Sequence, residues 1–514
     1  MKGAVSAGHI ETAESAANVL KNGGNAFDAA VSAHLTACVA EPVLSSLGGG
    51  GFLLAKTQTG KSVLYDFFAQ TPVVKHREYD ASFFKISADF GTAKQDFRIG
   101  PGSVATPGTV KGLFAIHRDL CTLPFEKLAE HALNLAKEGV VMNSFQAEVL
   151  RIVKPIYQIN KNVKRYFSSE NDGTLLCEGD TFKRPLFADF LENLAKDGET
   201  LFYEGEIANA IERVCAGSGG HLTRKDLHHY EVVKRKPLKC SLFGNRYIIN
   251  PPPSSGGILI AFASKLCEKI GLNKYDPGSI EFSERLAEIQ RLTNRARVDH
   301  MVRHNENRLT DLLGEDLLNR YIKQVHQRFL SGRGTTQISI ADKFGNLASL
   351  TTSNGEGSGV IIPGTSIMLN NMLGEEDLFP SGAGNWQPDQ RISSMMAPGI
   401  LQLQSGKEMV FGSGGSNRIR TAILQVLLFS IANEGDLTEA VNRSRIHVEE
   451  DTLSIEGGFD NETIQQLKKH FPEAEVWNNK SLFFGGVHLV GRSKDNVFTG
   501  CGDPRRGGVF LTVE

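Results

Sequence analysis

The sequence predicts a mixed α/β protein, and three observations carry that reading. Apolar residues recur at helical spacing from Thr12 to Leu20 and again through an alanine-rich run from Ala26 to about Ala40. The pattern then switches to strict alternation from Thr335 to Ala341 and from Leu347 to Ser353, as half-buried strands require. Between these regions there is no internal repeat and no low-complexity linker. At 514 residues the chain can form two or three average domains or one large sandwich of interlocked segments, and no clean boundary is visible.

The elements follow in order. Asn22-Gly-Gly-Asn25 stops the first helix and opens the second. Ser46-Leu-Gly-Gly-Gly-Gly-Phe52 leads into a hairpin with strands at Phe52–Ala55 and Ser62–Asp66 and turn residues at Thr59-Gly60. Residues 123–220 read mainly as helices, with loops at Pro155 and Glu178-Gly-Asp180. A strand at Tyr247–Asn250 runs into the rigid turn Pro251-Pro-Pro-Ser-Ser-Gly-Gly257, which caps a helix from about Ile258 to Ile270. Residues 284–330 are charged and helical. Beyond them, Asp342-Lys-Phe-Gly-Asn346 is a five-residue hairpin loop. With Ala341 facing Leu347, one face of the hairpin carries Thr336, Ile338 and Ile340 opposite Thr352, Leu350 and Ala348. The other carries Gln337 and Ser339 opposite Thr351 and Ser349, and sets Thr335 across from Ser353 with Cβ atoms roughly 4.5–5.5 Å apart. A one-residue slip would undo that pairing.

Composition excludes several function classes. With 56 basic against 58 acidic residues there is no electrostatic footprint for nucleic acid or an anionic membrane. Cys38, Cys121, Cys177, Cys215, Cys240, Cys267 and Cys501 are odd in number and scattered, which suggests buried thiols in a reducing compartment rather than disulfides or zinc. The first residues lack the apolar region of a signal peptide, and no run approaches the roughly 18 apolar residues of a membrane span. The expectation is a soluble, cytoplasmic protein.

The chemistry centres on Ser331-Gly-Arg-Gly-Thr335, a glycine-flanked turn that delivers Thr335 onto a strand. An ordinary loop into a strand has the same local sequence. If the Gly334–Thr335 peptide bond breaks, however, Thr335 gains a free α-amine beside its hydroxyl. That is a nucleophile and its base on one residue. Acyl transfer also needs oxyanion donors, a second hydroxyl to orient the nucleophile, and polar groups for the substrate. Phe411-Gly-Ser-Gly-Gly-Ser-Asn-Arg-Ile419, followed by an apolar helix from about Thr421 to Ile431, offers the backbone N–H groups of Gly415 and Ser416. Ser353 is the candidate orienting hydroxyl. Ser393, Ser394 and the acidic run Glu375-Glu376-Asp377 could hold a polar or amine-bearing substrate. The Gly48–Gly51 tetrad lacks the lysine of a phosphate loop and reads as close packing.

Taken in order, Asn22-Gly-Gly-Asn-Ala-Phe-Asp28, Leu47-Gly-Gly-Gly-Gly-Phe52, Ala105-Thr-Pro-Gly-Thr109 and Pro251-Pro-Pro-Ser-Ser-Gly-Gly257 begin a pattern. It continues through Thr335-Thr336, Leu369-Asn-Asn371, Ser393-Ser-Met395, Gly414-Gly-Ser416 and Asp503-Pro-Arg505. The whole series resembles the γ-glutamyltranspeptidases, members of the N-terminal-nucleophile hydrolases, from about residue 5 to 514. The resemblance implies a four-layer αββα sandwich made as a precursor that cuts itself into a larger segment, 1–334, and a smaller one, 335–514, which stay intertwined as a heterodimer. It implies that Thr335 is the nucleophile, Ser353 a second hydroxyl, and Gly415 and Ser416 the oxyanion pair, with Ser at its second position. It also implies that Glu375 and its neighbours receive a substrate α-amine and that Asn354 keeps the family's asparagine role. No metal or organic cofactor is implied, and further oligomerisation is left open.

Departures from the family pattern bear on the substrate. The family's Asp-Phe-Arg-Glu, whose arginine grips the substrate α-carboxylate, reads Asp66-Phe67-Phe68-Ala69 here. A charge-assisted contact of that kind is typically worth about 1.5–3 kcal/mol. Residue 337 is Gln where the family usually has His, and Asn354-Gly-Glu-Gly-Ser-Gly359 is shorter and richer in glycine than its counterpart. The resemblance therefore points to γ-glutamyl amides such as glutathione, with an amine or water as acceptor. One rival keeps the mechanism and takes a non-glutamyl acyl group. Another is an uncleaved, inactive binding relative.

Overall fold

The computed structural model describes residues 1–514 except 77–80, 90–93, 170–171, 304–310, 315–317, 319–333, 376–377, 380–384, 434–435 and 450–451. Two antiparallel sheets carry the site. Their strands are β1 (Gly3–Ala7), β2 (Gly50–Lys56), β3 (Ser62–Phe67), β4 (Val233–Arg235), β5 (Leu238–Leu242), β6 (Asn245–Ile249), β7 (Thr336–Asp342) and β8 (Leu347–Ser353). They continue with β9 (Gly399–Gln402), β10 (Glu408–Gly414), β11 (Gly486–Arg492), β12 (Phe498–Cys501) and β13 (Val509–Val513). The seven-stranded sheet runs β13-β1-β7-β8-β2-β3-β4 and the six-stranded sheet β12-β11-β10-β9-β6-β5. Each sheet contains strands from both sides of residue 334, so the two segments are interleaved rather than adjacent.

Helices cover both outer faces, giving the four-layer αββα sandwich. Four of them, α1 (Ile10–Lys21), α2 (Ala26–Ala40), α3 (Thr109–Leu120) and α4 (Phe125–Glu138), share one apolar core with Ile338, Ile340, Ala348 and Leu350 of the seven-stranded sheet. Three others, α5 (Ser255–Ile270), α6 (Ile280–Arg303) and α7 (Arg418–Ala432), share a second core with Ile249, Ile400, Val410 and Leu489 of the six-stranded sheet. All fifteen residues of α2 are buried, which its alanine-rich, nearly uncharged sequence permits. Asn25 starts it with a capping box: its side chain accepts from the Phe27 and Asp28 N–H groups, and the Asp28 carboxylate accepts from the Asn25 N–H.

The β7–β8 register is the expected one, from Thr336 opposite Thr352 to Ala341 opposite Leu347. The apolar face of this hairpin meets α2, where each buried Ile or Leu contributes about 1.5–3 kcal/mol. Its hydroxyl-rich face meets the other sheet instead. Ser349 Oγ donates to the Phe411 carbonyl at 2.7 Å, Ser339 Oγ to that of His488 at 2.9 Å, and Thr351 Oγ1 to Gln337 Oε1. Buried polar groups so paired specify register as well as adhesion.

Some local expectations change. Pro155 lies in the first turn of a short helix, Lys154–Tyr157, where a missing N–H costs nothing, rather than in a loop. The helix after the proline turn begins at Ser255, three residues early. The charged helix ends its described length at Arg303, and most of its expected remainder lies outside the described residues. Of the seven cysteines, Cys38, Cys215 and Cys267 are buried, while Cys177 is exposed.

Candidate active site

Thr335 immediately precedes β7, a strand paired on both edges, by β1 and β8. In the unbroken chain the Gly334 carbonyl oxygen accepts two hydroxyls, Thr335 Oγ1 and Ser353 Oγ, each at 2.8 Å. The pairing read from the hairpin register therefore appears as two hydroxyls meeting on one acyl oxygen. Ser353 Oγ is itself oriented by the Gly355 N–H at 3.0 Å. The Gly334 N–H donates to Glu356 Oε1 at 3.0 Å, and the Thr335 carbonyl accepts from Arg506 at 3.3 Å. On the opposite face, Thr336 Oγ1 and Thr12 Oγ1 donate to the two oxygens of Glu41 at 2.6 and 2.8 Å. Burial pushes the Glu41 carboxyl up to about 7 against the pull of those hydroxyls.

Gly414-Gly-Ser-Asn417 joins β10 to α7. A Cβ on Gly414 would lie 2.1 Å from the Thr335 carbonyl oxygen, so only glycine lets the turn press against the Thr335 backbone. Gly415 and Ser416 both have positive φ, +118° and +52°. For a serine this is uncommon, and such residues concentrate where a backbone N–H must be aimed. The turn ends at the N-terminus of α7, whose dipole favours negative charge there.

A small pocket faces Thr335 and brings together Phe68, Gly334, Ser353, Glu375, Ser393, Ser394 and Ser416. Ser255, Met372, Leu378, Met395, Met396 and Ile419 complete its walls. No Lys, Arg or His is among these lining residues. Ser393 Oγ donates to the Pro253 carbonyl at 2.9 Å, and the Ser394 carbonyl accepts from the Ser255 N–H at 2.9 Å, so the proline turn and the serine pair hold each other. Glu375 is buried beside Gly355, where any Cβ would lie 2.2 Å from Glu375 Oε1 and 2.0 Å from Asn371 Oδ1. Glu376 and Asp377 lie outside the described residues.

Asn354 is not brought into the pocket. Strand alternation turns it away from the side Ser353 faces, toward Gly49 and the Met368 carbonyl. Phe68 is buried on the pocket wall, stacked on Phe52 at 5.4 Å between centroids. Arg391 precedes the Ser393-Ser394 pair, and its guanidinium is engaged elsewhere. It donates to the carbonyls of Phe68 and Glu231 and to the Tyr230 hydroxyl, and pairs with Asp66 at 3.6 Å.

The sequence profile of the family Gamma-glutamyltranspeptidase matches residues 12–513. The chain belongs to that family. It is 28% identical over 522 residues to the Glutathione hydrolase proenzyme of Escherichia coli (strain K12), covering 95% of this chain and 88% of that one. It is 27% identical over 528 residues to the Acylase ACY 1 proenzyme of Pseudomonas sp. (strain SE83), covering 100% and 94%. In fold it matches the crystal structure of cephalosporin acylase from Bacillus halodurans with a TM-score of 0.85 at 22% identity, over 100% of this chain and 96% of that one. It is a γ-glutamyltranspeptidase-family chain with the N-terminal-nucleophile hydrolase fold.

Sequence reading missed Glu356, Arg506, Glu41 and the apolar wall of Met372, Leu378, Met396 and Ile419. Glu356 had a signal, an acid between two glycines; the wall residues had none, because only the fold gathers them. The Asp503-Pro-Arg505 motif is structural support: Asp503 accepts from Arg445 at 2.6 Å, Arg505 at 3.2 Å and the Val487 N–H at 2.9 Å, steadying the loop on which Gly415 rests. Among the described residues no group of three or more His, Cys, Asp or Glu side chains is placed to hold a metal.

Proposed function

We propose that the chain cleaves itself before Thr335 and that the freed Thr335 is the nucleophile of an amide hydrolase or acyltransferase whose acyl group is not γ-glutamyl. The observation that carries the specificity is the pocket wall, where Phe68 stands in place of an arginine and, among the described residues, no cation lines the space. An α-carboxylate placed there would lose its water without gaining a charged partner. The six apolar lining side chains instead favour an acyl group that is largely hydrocarbon, with Glu375 and the serine hydroxyls near it as polar contacts. The relative named Acylase ACY 1 proenzyme fits the same reading.

In the proposed turnover the Thr335 α-amine, with an ordinary pKa of about 7.7–8.0, takes the Oγ1 proton as Oγ1 bonds to the substrate carbonyl carbon. The Gly415 and Ser416 N–H groups receive the oxyanion, and Ser353 Oγ holds the attacking oxygen in line. The amine leaves with the proton, and water or another amine takes the acyl group from Thr335. Glu375 and the pair Ser393-Ser394 favour a second reading, a γ-glutamyl substrate held without the arginine. A panel of acyl anilides separates them. Cleaved enzyme should turn over apolar acyl anilides with higher kcat/KM than γ-glutamyl anilide, and a tenfold preference for γ-glutamyl anilide would reverse the assignment.

A further inference from the structure

We propose that Glu356 is a positioning residue for cleavage of the Gly334–Thr335 bond, its carboxylate clamping the Gly334 N–H so that the adjoining carbonyl stays beneath two hydroxyls. The inference rests on the self-cleavage reading above. Cleavage needs Thr335 Oγ1 to bond to the Gly334 carbonyl carbon, with its proton passing to the Thr335 nitrogen as the C–N bond breaks. Water then hydrolyses the resulting ester, restoring the hydroxyl and leaving a carboxylate on Gly334 and an amine on Thr335.

The difficulty lies in the residue being cut. Glycine has the freest backbone of any residue, so the acyl half of the bond must be held by contacts rather than by its own φ and ψ. Gly334 has two such anchors, its carbonyl on Thr335 Oγ1 and Ser353 Oγ and its N–H on Glu356 Oε1. Glu356 is built for this. Its own N–H donates to Asn371 Oδ1 at 3.0 Å and its carbonyl accepts the Tyr157 hydroxyl at 3.2 Å. Glu356 is only 1% exposed and borders a small space lined by Val43, Leu44, Val149, Ile152, Val153, Leu482 and Arg506. Burying a carboxylate is costly, and here one oxygen ends on the N–H next to the scissile carbonyl. The slot is fitted to residue 334 as well, since a Cβ there would come within 3.2 Å of the Gly355 carbonyl and 3.3 Å of Leu44.

The test follows purified full-length chain by electrophoresis as the fragment beginning at Thr335 appears, with a thermal melt run on each variant. Glu356→Ala removes the acceptor and should slow cleavage roughly ten- to hundredfold, the range for losing a hydrogen bond to a charged group. Glu356→Gln keeps an oxygen acceptor and should restore cleavage to within about threefold of wild type, less than 1 kcal/mol of barrier. Should Glu356→Ala melt below the assay temperature, Glu356→Met carries the same comparison at similar volume. Wild-type cleavage rates in a folded Ala or Met variant would overturn the clamp, as would a Gln variant as slow as Ala. Failure of wild type itself to cleave would instead remove the self-cleavage reading on which the clamp depends.

Discussion

At the scale of single residues, the proposed site divides into a half around Thr335 that keeps the family's sequence pattern and a half around Phe68 that does not. Thr335 Oγ1 and Ser353 Oγ each donate to the Gly334 carbonyl oxygen at 2.8 Å, which sets both hydroxyls beside the bond that joins the two segments. Phe68 departs, and the Arg391 guanidinium is engaged by the Phe68 and Glu231 carbonyls and the Tyr230 hydroxyl. Phe68→Arg therefore puts a cation into a pocket that has none among its described lining residues. The ratio of γ-glutamyl to apolar acyl anilide kcat/KM should rise by roughly tenfold or more in cleaved Phe68→Arg enzyme, in line with a charge-assisted contact of about 1.5–3 kcal/mol. An unchanged ratio in a folded variant would mean that Phe68 does not set the acyl specificity.

At the scale of elements, β7 is held from behind by Glu41, which ties it to α1 through Thr12 and Thr336. The folded state keeps a proton on Glu41 up to about pH 7, whereas an unfolded glutamate loses it near 4.5. The unfolded chain thus binds fewer protons across that window, and stability falls as pH rises through it. At about 1.4 kcal/mol per pH unit the loss is on the order of 3 kcal/mol by pH 8. Glu41→Gln removes this dependence, so its melting temperature should exceed wild type at pH 8 and match it near pH 4.5; equal shifts at both values would contradict the buried carboxyl. The elements themselves were largely legible. Alternation in Thr335–Ser353 predicted the hairpin and its register, and Asn22-Gly-Gly-Asn25 marked the start of α2. Asn354, by contrast, lies beside the Met368 carbonyl and Gly49 and not among the pocket-lining residues, because alternation turns it away from the side that Ser353 faces.

At the scale of the whole molecule, sequence order announced the layers only through the family resemblance; periodicity alone left open whether the chain formed one sandwich or several domains. That choice depends on long-range pairings such as β13 on β1 and β6 on β9, which local patterns do not encode. The pocket wall was hidden for the same reason, since Phe68, Met372, Met395 and Ile419 are far apart in the chain. The buried network of Asp503, Arg445, Arg505 and Glu456 welds the C-terminal segment to the loop behind the oxyanion turn. Burial raises the Asp503 carboxyl, but the guanidinium groups of Arg445 and Arg505 outweigh it and hold it at about 2. Its contribution is therefore present at neutral pH and is lost only as the pH falls toward that value. Asp503→Ala leaves two buried cations short of a partner and should lower stability by about 3–5 kcal/mol, read as a fall in melting temperature, with cleavage before Thr335 impaired in parallel.

All three scales converge on Thr335, and the most direct measurement is N-terminal sequencing of the smaller fragment from purified protein held at neutral pH, beside Thr335→Ala treated identically. Wild type should yield a fragment beginning Thr335-Thr-Gln-Ile-Ser, while Thr335→Ala stays whole and turns over no amide. A wild-type chain that remains intact, or a Thr335→Ala chain that is cut and active, would contradict the assignment of Thr335 as nucleophile.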